Sequence, residues 1–130
     1  MLGTFQLSQI RIEVEASEAL IRKSLLCPVE LQKWLAPQRL AMGMPEELHP
    51  GLTFTSWTGP IQINHQVQVA TPNSLRLLLC GGIDGFHEWY WGDGWVQSRL
   101  EGVSMLPLSL GQTLSLLQLR QFLAARKSQK

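Results

Sequence analysis

The chain has 130 residues, of which 45% are apolar and 16% charged, and its formal net charge is +1. That length suits one domain with a real core, and the apolar balance excludes an extended disordered chain. Near-neutrality excludes the clustered basic face that nucleic acid requires. Residues 1–130 are therefore expected to form a single domain, with no nucleic-acid partner.

The N-terminal Met-Leu-Gly-Thr-Phe-Gln lacks the basic and apolar regions of a secretory signal. No stretch approaches the roughly 20 apolar residues needed to span a bilayer. Cys27 and Cys80 show neither a CxxC pair nor a disulfide framework. A cytoplasmic protein with two reduced, buried thiols and no integral membrane segment is expected.

In chain order, Ile10, Ile12 and Val14 alternate with Arg11, Glu13 and Glu15, the period-2 pattern of a half-buried strand over residues 5–15. Ser17 is a good N-cap, Glu18 suits a first turn, and residues 19–26 have helical composition. Pro28 suits the first position of a second short helix carrying Leu31, Trp34 and Leu35 on one face, and Pro37 stops it. Residues 38–44 are ambiguous and are expected to hold a short strand before Pro45. A meander follows, with strands expected at 52–57, 61–69, 74–80, 86–91 and 95–103. Its turns are Thr58-Gly59-Pro60, Thr71-Pro72-Asn73, a looser one over 81–85, and the tight Gly92-Asp93-Gly94. After Pro107, residues 108–126 form the longest helical pattern. Leu110, Leu114 and Leu117 make one stripe, and Leu116, Leu119, Phe122 and Leu123 another, so this helix must be covered over most of its girth. At ~1.5 Å per residue it would be about 29 Å long. A ten-residue strand reaches about 33 Å, so a sheet can curl along the helix.

Faces follow from alternation. With Ile61, Ile63, Val67 and Val69 inward, His65 is inward too; with Trp89 and Trp91 inward, so is His87. Ser56 joins Leu52 and Phe54, and Ser98 joins Val96 and Leu100. A mostly apolar wall with a few polar groups is the make-up of a small-ligand site. The same two histidines also read as core residues satisfied by neighbours. Phe86, Trp89, Tyr90, Trp91 and Trp95 either wall a cavity, offer a sticky surface, or simply pack the sheet. Met42, Met44 and Met105 suit either a flexible cavity mouth or gap-filling. Arg120, Arg126, Lys127 and Lys130 complement the dipole at the end of the last helix. Neither a zinc spacing nor a nucleophile elbow nor a phosphate loop is present, so no metal, cofactor or catalytic residue is assigned.

Several segments carry a resemblance. They are residues 12–20 (Ile-Glu-Val-Glu-Ala-Ser-Glu-Ala-Leu), Lys33-Trp34-Leu35, Gly51-Leu52-Thr53-Phe54, residues 67–75 (Val-Gln-Val-Ala-Thr-Pro-Asn-Ser-Leu), the Trp89 strand, and Gly94 leading into the last strand. With the order strand, two short helices, six strands and a long helix, the chain resembles the START-like (SRPBCC) superfamily, which includes the birch-pollen-allergen fold. It looks most like the small polyketide-cyclase and co-chaperone-activator branches. The resemblance implies an α+β helix-grip fold, a curved antiparallel sheet of about seven strands wrapped around a long C-terminal helix. It further implies a cavity between sheet and helix that takes a small hydrophobic molecule such as a lipid, isoprenoid or aromatic polyketide. The expected lining is His65, His87, Trp89, Trp91, Ser56, Ser98, Leu114 and Leu117. Two alternatives remain: a cyclase- or dehydratase-like enzyme with His65 or His87 as general base, and a co-chaperone-like interaction module. A protein partner is compatible with the sequence, and the expected state is a monomer or weak dimer.

Overall fold

The computed structural model describes residues 3–128. Met1, Leu2, Gln129 and Lys130, with the side chains of Lys127 and Ser128, fall outside the described part, and with them portions of the N-terminal and C-terminal readings. The elements are β1 (Thr4–Glu13), α1 (Glu18–Leu26), α2 (Pro28–Leu35), β2 (Arg39–Leu40), β3 (Thr53–Thr58), β4 (Ile61–Thr71), β5 (Ser74–Gly81), β6 (Ile83–Gly92), β7 (Trp95–Ser104) and α3 (Leu108–Ser128). The strands form one antiparallel sheet in the order β1-β7-β6-β5-β4-β3-β2. The first strand thus pairs with the last, and α3 packs across the concave face. This is the α+β helix-grip architecture expected.

Local chemistry explains the joints. Ser17 caps α1 by accepting the Leu20 amide, and Glu30 sits in the first turn of α2 behind Pro28. The β6–β7 hairpin is pinned to the β1–α1 connection. Val14 N donates to Gly94 O, Gly94 N to Ala16 O, and Glu18 N to the Asp93 carboxylate. Gln6 closes the other end of β1. Its amide donates to Ser104 O and Leu106 O and accepts from Leu108 N, fixing where α3 begins. Arg126, far along α3, pairs with Glu30 of α2.

Alternation places Ile63, His65, Val67, Leu75, Leu77, Leu79, Trp89, Trp91, Val96, Ser98 and Leu100 on the buried inner face. Four details depart from the sequence reading. A register shift between Val67 and Val69 inserts a bulge, so Val69 turns outward (40% exposed) and Ala70 packs on the core instead. Cys80, at the outward end of β5, is exposed rather than buried, and Cys27 is half-buried. The turn before β6 is shorter than expected, because Asp84 and Gly85 already belong to the strand. Gly85 pairs with Gly102 of β7. A Cβ on Gly85 would lie 1.9 Å from Glu101 O, and one on Gly102 would lie 2.4 Å from Asp84 O. Only glycines permit this close strand approach.

The fourth departure concerns α3. Its buried stripe is Leu108, Gln112, Leu116, Leu119 and Leu123, whereas Leu110, Leu114 and Leu117 are exposed. Each fully buried leucine contributes roughly 1.5–3 kcal/mol, so the second stripe anchors the helix and the first is left towards solvent.

Candidate functional site

Between the inner sheet face and α3 lies a cavity of about 300 Å³, at the lower end of ordinary ligand sites. Ile63, Leu79, Ile83 and Leu100 line its sheet side, and Leu108, Gly111, Leu114 and Gln118 its helix side. Leu110 and Leu114 are both more than half exposed, so they form a mouth rather than a lid. An inner chamber of about 70 Å³ adjoins it, bordered by Trp34, Phe54, Leu75, Leu77 and Trp89. Leu35, Gln38, His65, His87 and Ser115 border both spaces. Among the described residues, no Lys, Arg, Asp or Glu lines either.

Two polar clusters interrupt this apolar wall, built on one plan. In the first, His65 of β4 bonds Ser56 of β3 through Nε2 (2.8 Å), and Ser56 Oγ accepts Gln38 Nε2 at 2.7 Å. In the second, His87 of β6 bonds Ser98 of β7 through Nε2 (2.8 Å), and Ser98 Oγ accepts Gln112 Nε2 at 3.0 Å. Each histidine reaches a diagonal rather than a directly opposed neighbour, since Ser56 faces Ile63 and Ser98 faces Trp89. Among the described residues the histidine Nε2 is the one acceptor within reach of each serine's hydroxyl proton, so the arrangement that pairs every group has the serine donating to Nε2. In that arrangement both imidazoles are neutral, with the proton on Nδ1.

Electrostatics agree with that assignment. Burial lowers the His65 pKa to about 4. Burial, with a smaller contribution from the neighbouring His65, lowers His87 to about 3. His87 is half-buried, and it borders the cavity. Stacking holds the rings: His65 lies on Phe54 (centroids 4.5 Å, 4° between planes), and His87 packs on Trp89 at 4.7 Å. Trp89 in turn meets Trp34 edge-on at 6.3 Å, and Trp34 Nε1 donates to Ser24 O.

Of the residues expected at the ligand site, His65, His87 and Leu114 line the larger cavity, and Trp89 lines the inner chamber. Ser56 and Ser98 are fully buried behind the histidines. Trp91 and Leu117 are not part of either wall. Trp91 sits near the hairpin end of β6 and donates from Nε1 to Pro72 O. Leu117 is 44% exposed on the open side of α3. None of Met42, Met44 and Met105 lines either space. The sequence reading missed Gln38 and Gln112. A signal for Gln112 existed: it falls at i+4 from Leu108 and i−4 from Leu116, a polar residue within an apolar stripe.

The outer face of β6 is different in kind. Glu88 pairs with Arg76 at 2.9 Å and accepts from Tyr90 Oη, while Arg76 covers the Phe86 ring and Arg11 covers Trp95. Phe86 and Trp95 are thus shielded by arginines, whereas Tyr90 stays 40% exposed. Among the described residues, no helix is long and apolar enough to cross a membrane, and no group of three His, Cys, Asp or Glu side chains comes together to hold a metal ion.

No family model matches this chain, and no curated protein does. Solved structures do match. Protein CV1439 from Chromobacterium violaceum has a TM-score of 0.73 at 17% identity, covering 90% of this chain and 96% of that one. The Aha1 dimer from Colwellia psychrerythraea has a TM-score of 0.64 at 16% identity over 91% of this chain and 96% of that one. DynU16, a protein in the dynemicin biosynthetic locus, has a TM-score of 0.68 at 13% identity. The match covers 91% of this chain but only 47% of DynU16. At these identities the likeness establishes a shared helix-grip fold.

Proposed function

We propose that this protein binds a small hydrophobic molecule in the cavity between its sheet and α3. The observation that carries the reading is the open, apolar cavity of about 300 Å³, uncharged along its wall and interrupted only by a few hydrogen-bonding side chains. An apolar guest would exchange water for Ile63, Leu79, Ile83 and Leu100, at roughly 25 cal/mol per Å² buried. Binding fits the site better than turnover. A general base near neutral pH needs a pKa close to 7, and both imidazoles are pushed far below it.

Native mass spectrometry of the protein purified from its own cells tests the proposal. A stoichiometric apolar compound, released on denaturation, is the expected result. The Leu114→Trp variant, which places a bulky ring at the mouth, should slow or block uptake of added ligand while the fold persists. A protein that purifies empty and takes up no member of a panel of lipids and aromatic compounds would overturn the reading.

A further inference from the structure

Of the eleven glycines, all but Gly111 sit either at positive φ or where a Cβ would fall within 2.6 Å of a neighbouring atom. Gly111, in the second turn of α3, meets neither demand. Its φ is not positive, and a Cβ built on it finds open space, with no atom of another element within 4 Å. Glycine weakens a helix relative to alanine, because it gives up more backbone freedom on folding. Nothing in the packing of the chain against itself offsets that loss.

Its position supplies a reason. Gly111 lines the cavity and is itself exposed, and the same holds for Pro37, Pro107, Leu110 and Leu114. These five residues rim the opening. The frame around them is held on both sides. Gln118 Nε2 donates to Ala36 O, tying α3 to the connection after α2, while Gln112 ties α3 to Ser8 of β1 and Ser98 of β7. Pro37 and Pro107 have φ fixed by their rings. With helix and connection fastened, side chains set the width of the opening, and Gly111 contributes none.

Resting on the binding role proposed above, we infer that the guest enters the cavity beside Gly111, and that the absent side chain there sets how wide a guest is admitted. A hydrogen in place of a branched side chain leaves room for an apolar ring system to pass. Leucine or phenylalanine at this position would project into the gap, since no atom occupies the direction of the Cβ. Leu110 and Leu114, both on the rim, offer the entering guest an apolar surface. Position 111 is thus a determinant of specificity that the fold itself does not require.

Stopped-flow mixing with N-phenyl-1-naphthylamine, an uncharged three-ring probe whose emission rises on leaving water, tests this. Association should slow about tenfold or more in Gly111→Leu, the ratio that an ordinary steric clash imposes, and further in Gly111→Phe. Thr113→Leu adds bulk at an exposed position of α3 outside the cavity wall and should leave the rate unchanged. Gly111→Ala should raise the folding equilibrium constant roughly two- to fivefold in urea titration, through helix propensity alone. Far-UV circular dichroism establishes that the leucine and phenylalanine variants are folded. A Gly111→Ala protein less stable than the wild type would make the glycine a structural requirement and overturn the inference. Unchanged association in both larger variants, with a wild type that binds the probe, would also overturn it and leave the cavity role intact. A wild type that takes up no probe would remove the binding role and this inference with it.

Discussion

The two glutamine–serine–histidine clusters share a plan but differ in what holds them. Gln112 is fully buried on a 21-residue helix and bonds backbone or side chain of two strands at once. Gln38 stands in the connection after α2, next to the two-residue strand β2, and is itself steadied by Gln32 donating to Gln38 O. One cluster joins β6 and β7, and the ten-residue edge strand β1 covers β7 along its length. The other is mounted near an edge that ends in almost no strand. The same three residue types therefore give a rigid wall on one side of the cavity and a more adjustable one on the other. Adjustability follows from few constraints, since short edge elements open at low free-energy cost.

The largest effect should come from acid, because it strikes both clusters. Each histidine has a folded pKa below the ordinary value of 6.5, about 4 for His65 and about 3 for His87. As pH falls below 6.5 the unfolded chain takes up these protons first. The stability they contribute is complete above 6.5 and declines as pH drops through 4 and 3. The slope approaches about 1.4 kcal/mol per pH unit for each histidine, so the total is on the order of several kcal/mol. Urea unfolding between pH 7 and 4.5 measures it. The double change His65→Phe with Ser56→Ala should remove one proton's worth of slope, and a flat wild-type profile would contradict neutral buried histidines. A smaller contrast separates the glutamines. Gln112→Ala should destabilise by about 2–3 kcal/mol, because it unpairs buried groups on two strands, and Gln38→Ala by about 1 kcal/mol. Equal losses in urea denaturation would erase the distinction between clamped and adjustable walls.

Much of the fold could be read from residue patterns. Period-2 alternation placed His65, His87 and Trp89 on the inner face, because a strand with one buried side has no other register. It failed at Val69, where a bulge reverses the faces. A bulge is a property of pairing with β5 and leaves no mark in the composition of β4. The long helix was evident, but its orientation was not. Leucines surround α3, so helical periodicity alone did not decide whether the Leu114–Leu117 stripe or the Leu116–Leu119 stripe faces the sheet. The polar Gln112 within the second stripe was the overlooked clue. Gln38 could not be found this way, since only the folded connection after α2 brings it to Ser56, eighteen positions away.

The Gly85–Gly102 contact has a consequence for how such a protein can change. Ile83, His87 and Leu100, the inward neighbours two positions from these glycines, all line the cavity, so the depth of the bowl is governed at a place that has no side chain. Adding a single methyl at either glycine would force the strands apart before it touched any guest. Altered ligand preference is therefore open to variation at the leucines of the rim and the polar anchors. The curvature beneath them admits almost none, and two of the smallest residues in the chain set the outer limit on what this cavity can hold.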